Sequence, residues 1–140
     1  WTDDTPASST SCHLFLHAIQ LLEIKGLVDP ADRVFERATW AFREAFFTQL
    51  ANISDRNVQF EIAEELRLPI AAIQAQMDSG EAYAQLSKDF DLVKEHTVTV
   101  SPTLIFNEGR QRLNGNVGYR VMESNIRELL QNPPDEQSWC

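Results

Sequence analysis

Along most of this chain apolar residues recur every three or four positions, then alternate near Thr97, and return to helical spacing at the end. Leu14, Ala18, Leu21 and Leu22 predict a first helix, with Ser8, Ser9 or Thr10 placed to cap it and Gly26 to end it in the left-handed manner. Asp29 as cap and Pro30 as first helical residue predict a second helix. Its large apolar set (Val34, Phe35, Ala38, Ala41, Phe42, Ala45, Phe46), widened by Trp40 and Phe47, predicts the central and most buried helix. The run Asn52-Ile53-Ser54-Asp55 breaks the pattern. A short helix is then predicted from Asp55, carrying Val58, Ile62, Ala63 and Leu66. Pro69 starts a fourth, with Ile70, Ile73 and Met77 inward, ending near Ser79-Gly80. A fifth runs from about Glu81 to Lys94 on Ala84, Leu86, Phe90 and Val93.

The strand pattern begins at Thr97. Val100-Ser101-Pro102-Thr103-Leu104-Ile105-Phe106 reads as a proline-led buried strand, Asn107-Glu108-Gly109 as a tight turn, and Arg110 to Gly115 as a second strand. A closing helix from about Gly118 to Leu130 is expected to bury Val121, Ile126, Leu129 and Leu130, with Pro133-Pro134 stopping it. The fold class is therefore α/β and mostly helical. An isolated two-stranded hairpin is marginal in water, and Thr103 to Phe106 are apolar on both faces. Further strands are expected from an N-terminal segment, a second copy of the chain or a partner protein.

Length and charge narrow the function. A chain of 140 residues with 43% hydrophobic content can bury a single-domain core. The formal net charge of −9 argues against nucleic-acid partners and against anionic membrane surfaces. No apolar run is long enough to span a bilayer, and the polar start, Trp1 to Thr10, carries no signal pattern. A first residue other than Met suggests a processed chain or a piece of a longer one. Cys12 and Cys140 make no disulfide framework, and that usage fits a reducing, cytoplasmic setting, with a periplasmic one as the alternative.

The helical block followed by strand, turn, strand and helix resembles the DsbA-like family of thiol-disulfide oxidoreductases. The resemblance rests on Asn52-Ile53-Ser54-Asp55, Asp78-Ser79-Gly80-Glu81-Ala82, Val100-Ser101-Pro102-Thr103, and Leu113-Asn114-Gly115-Asn116-Val117-Gly118-Tyr119. It implies a helical insertion region over 1–96, the C-terminal strand-strand-helix of a thioredoxin fold over 97–132, and a tail over 133–140. It also implies a cis peptide before Pro102, with Ser101, Pro102 and Thr103 as the substrate-binding residues and Ser101 tuning the redox potential in a complete enzyme. The family's C-x-x-C pair, a low-pKa thiolate at a helix start beside a second thiol, is absent from this chain. No residue here is assigned a catalytic role, and no cofactor is expected.

Other candidate residues compete with plain structural roles. His13 and His17, four apart beside Cys12, share a helical face, yet a structural zinc site wants four ligands and only the distant His96 remains. Cys12 reads better as a small buried apolar residue than as a nucleophile or a partner of Cys140. Trp139 is placed either to anchor the tail on a groove or to be part of a plain terminus. The glycines around Asn114 and Tyr119 fit neither a P-loop nor a dinucleotide fingerprint. Arg110, Arg112 and Arg120 form a basic patch where an anionic group such as glutathione docks, or where Glu108 and Glu123 simply pair. Two readings follow. The first is part of a DsbA-like oxidoreductase acting on protein or small thiol and disulfide substrates, with its redox pair outside this chain. The second is a non-catalytic remnant that dimerises or binds a protein strand through its sheet edge. In either case a homo-oligomer is expected.

Overall fold

A computed structural model describes residues 4–131 of the chain. Among them helices α1 (Thr10–Ile24), α2 (Val34–Phe47), α3 (Arg56–Glu65), α4 (Ile70–Asp78) and α5 (Glu81–Glu95) precede strands β1 (Thr103–Phe106) and β2 (Gln111–Asn114), and α6 (Tyr119–Leu130) closes the order. The mostly helical α/β class predicted from the periodicity is the class observed. Trp1, Pro133-Pro134, Trp139 and Cys140 lie outside the described residues. The chain divides into two compact units whose boundary falls within α5, between Phe90 and Asp91.

In the first unit α1 packs against α2 and α4, and α3 against α2 and α4. Phe15, Ile19 and Leu22 of α1, Phe42 of α2 and Ile73 of α4 are fully buried. Each such side chain removed from water contributes about 1.5–3 kcal/mol. The central helix is therefore α1, not the second helix as its apolar set suggested. Trp40 and Phe47 stand 63% and 71% exposed. Trp40 lies two residues from both Ala38 and Phe42, hence about 200° around the helix from that buried face.

Local chemistry explains the helix ends. Gly26, at φ +65, lets Leu27 N–H reach the Leu22 carbonyl (2.8 Å) while its own N–H donates to Glu23 (3.0 Å), which closes α1. Ser9 precedes α1 without a side-chain cap bond; the Ser8 hydroxyl accepts from Thr10 N–H instead. Asp29 does cap, accepting from Ala31 N–H at 2.9 Å, but the turn it opens is a 3₁₀ piece, Pro30–Asp32. Arg33 then adopts φ +48 and separates that turn from α2, so the expected single helix from Pro30 is broken. Asp55 caps α3 as expected, accepting from Asn57 N–H at 2.8 Å.

The second unit holds an antiparallel pair with Thr103 opposite Asn114 and Phe106 opposite Gln111. The strand begins at Thr103 rather than Thr97. Asn107, Glu108 and Gly109 all take positive φ in the connecting turn. Among the described residues of this unit none is buried. The expected burial of α6 does not occur. Val121, Ile126 and Leu130 are exposed, Leu130 by 77%, and Leu129 is half-buried. Two strands offer too little surface to cover a whole apolar helix face. Phe90 and Val93, expected as inward contacts of α5, are likewise exposed, and Ala82 and Leu86 supply its buried residues.

Candidate functional site

The segment leading into β1 is held from two sides. The Ser101–Pro102 peptide is cis, as the resemblance implied. Gly115 N–H, at the end of β2, donates to the Pro102 carbonyl at 2.8 Å. Gly115 has φ +76, which a residue with a Cβ adopts only under strain, so the close of the hairpin and the loop geometry depend on that glycine. The Thr103 hydroxyl donates to the Val100 carbonyl and lies 3.3 Å from Asn114 Oδ1. One proton serves one of these acceptors at a time. Ser101 and Pro102 are exposed and Thr103 is half-buried, so the three candidate substrate residues form a surface ledge beside a strand edge. What this ledge offers is backbone and hydroxyl hydrogen bonding.

The thiol and imidazole candidates of the first unit do not converge. Cys12 is buried in the first unit's core, and that burial pushes its thiol from 9.0 up to about 11. His13 is exposed, while His17 Nε2 sits 2.7 Å from Asp89 Oδ2 and its Nδ1 3.2 Å from Gln20 Oε1. His96 is exposed in the second unit. Among the described residues no group of three or more His, Cys, Asp or Glu side chains stands where it could hold a metal ion. In the basic patch, Arg112 donates to the Thr97 carbonyl at 3.2 Å, and Glu123 pairs with Arg127 at 2.7 Å rather than with the patch.

A different surface emerges on the first unit. An open cleft of about 750 Å³ runs along α2, with Phe35, Trp40, Ala41 and Leu66 as its apolar walls. Arg37, Arg43, Glu36 and Glu44 line it as well. Glu36 is tied to Arg33 in an ion pair, whereas Arg37 and Arg43 have no ion pair among the described residues. The sequence carried a trace of this cleft. Trp40 falls off the Ala38–Phe42–Ala45 face, and its grouping with Phe35, Ala41 and Leu66 in one cleft makes it part of a docking surface rather than a lone exposed residue.

No family model matches the chain. Among curated proteins it is similar to the ClpXP adapter protein SpxH of Bacillus subtilis (strain 168), at 33% identity over 98 residues. That match takes in 66% of this chain and 32% of SpxH, so the chain spans about a third of its relative's length.

Proposed function

We propose that this chain belongs to a protein-binding adapter of thioredoxin lineage and works by docking a protein, not by exchanging disulfides through Cys12. The observation that carries this reading is the state of Cys12. The one cysteine among the described residues is buried, and burial pushes its thiol up to about 11, whereas a redox nucleophile is an exposed thiol of lowered pKa. The similarity to an adapter protein supports the same reading, and so does an open apolar cleft that no element of the first unit fills. A reducing, cytoplasmic setting suits this thiol usage.

Deleting the gene in its host and following protein half-lives tests the proposal. A small set of proteins is expected to turn over more slowly, with normal turnover restored equally by the gene and by its Cys12→Ala form. Unchanged half-lives, or restoration that fails with Cys12→Ala in a chain that still folds, would overturn it.

A second reading is favoured by the Ser101-Pro102-Thr103 ledge, whose tie to Gly115 sets an extended segment beside β1. Under it the chain is part of a DsbA-like oxidoreductase whose redox cysteines lie elsewhere, and the ledge aligns a thiol or disulfide substrate. The unburied second unit also supports a homodimer, in which a second copy supplies the strand that β1 lacks. Light scattering at micromolar concentration is expected to give twice the chain mass, and a compact monomer counts against that assembly.

A further inference from the structure

We propose that the cleft along α2 receives an acidic amphipathic helix of a partner protein, an inference that rests on the adapter reading and names the chemistry of what is docked. Trp40 sits 63% exposed at the middle of α2, with Phe35, Ala41 and Leu66 beside it in the cleft. Trp and Arg together in a concave apolar setting are the composition that carries most of the binding energy at protein interfaces.

Charge selects the occupant. The chain as a whole carries a net −9 and repels acidic partners. The cleft departs from that background. Arg37 and Arg43 stand three residues before and three after Trp40, both unpaired among the described residues. Of the two acids that line the cleft, Glu36 is neutralised by Arg33, which leaves Glu44 alone. An acidic partner meets two free guanidiniums there, and a basic one meets a single carboxylate.

Shape selects a helix. The backbone of α2 is hydrogen-bonded within itself and offers no edge for strand addition, so recognition runs through side chains in a groove. Six positions separate Arg37 from Arg43, about 9 Å along the axis at 1.5 Å per residue. Carboxylates seven positions apart on a facing helix, about 10 Å, reach both while the apolar stripe between them covers Trp40.

The probes are two synthetic amphipathic helices with one Leu-rich face, one flanked by Glu at that spacing and the other by Lys at the same positions. Fluorescence anisotropy of each labelled helix against the full chain reads the affinity. The Glu helix is expected to bind about tenfold or more tightly than the Lys helix. Arg37→Glu with Arg43→Glu is expected to reverse that order, and Trp40→Ala to weaken both helices about tenfold or more. Both variants are expected to keep the parent's circular dichroism and melting point, because all three side chains are exposed. Equal binding of the two helices, no binding of either, or a Glu preference that survives the double charge reversal overturns the proposal. So does a Trp40→Ala chain that changes from dimer to monomer in light scattering, since the occupant is then a second copy. If the helices fail to bind while gene deletion still slows protein turnover, the docking site falls and the adapter reading stands. Selective helix binding with unchanged turnover has the opposite meaning.

Discussion

Raising the pH isolates Cys12. In the unfolded chain its thiol ionises near 9.0, but burial in the folded chain delays ionisation to about 11. Between those values the unfolded state gives up a proton that the folded state keeps, so stability falls as pH rises through the window and levels off above it. Below pH 9 both states hold the proton and the thiol contributes no pH dependence. Two units at 1.36 kcal/mol each amount to about 2.7 kcal/mol, a large share of the 5–15 kcal/mol typical of a folded domain. Lysines and tyrosines titrate in the same range, so the quantity to measure is a difference. Urea melts from pH 8 to 11 would compare the Cys140→Ser chain with Cys12→Ala in the same background. The alanine chain starts less stable, and the gap between the two is expected to close by about 2–3 kcal/mol across the window. A disulfide reagent at pH 8 gives an independent readout. The folded thiol is expected to react about a hundredfold more slowly than the urea-unfolded one, from the thiolate fraction alone. Parallel stability curves, or labelling of the folded chain at the rate of a free thiol, would show that Cys12 is not desolvated and would remove the ground for calling it inert.

The remaining predictions concern packing, capping and activity. Phe15→Ala removes a fully buried ring that meets Phe42 and Phe60 at 5.8 and 5.9 Å, and a loss of about 3–5 kcal/mol is expected in denaturant melts. A loss below about 1 kcal/mol would show that α1 is not the central helix. Asp55→Ala leaves Asn57 N–H without its cap and is expected to cost about 1 kcal/mol, restored by Asp55→Ser. Gly115→Ala forces a Cβ into φ +76 and is expected to cost about 1–2 kcal/mol; an unchanged melting curve would mean that the hairpin close relaxes freely. The chain alone is expected to show no insulin-reductase turnover above background, and clear turnover abolished by Cys12→Ser would contradict the inert thiol.

Helix positions, Asp55 as a cap, Gly26 as a stop and the order of strand, turn, strand and helix were legible in the sequence. Those features depend on local backbone preferences and on side chains within a few residues of one another. Fold class followed from the switch in period near the end of the helical block. Burial did not follow. A stripe of Phe, Ala and Trp states which residues are apolar, but which of them face the core depends on the other helices. Packing of α1 against α2 and α4 buried Phe42 and left Trp40 in water. In the same way α6 reads as a half-buried helix, yet a sheet of two strands cannot cover its apolar face. Local structure is written in near neighbours, whereas exposure is decided by contacts between elements far apart in the chain.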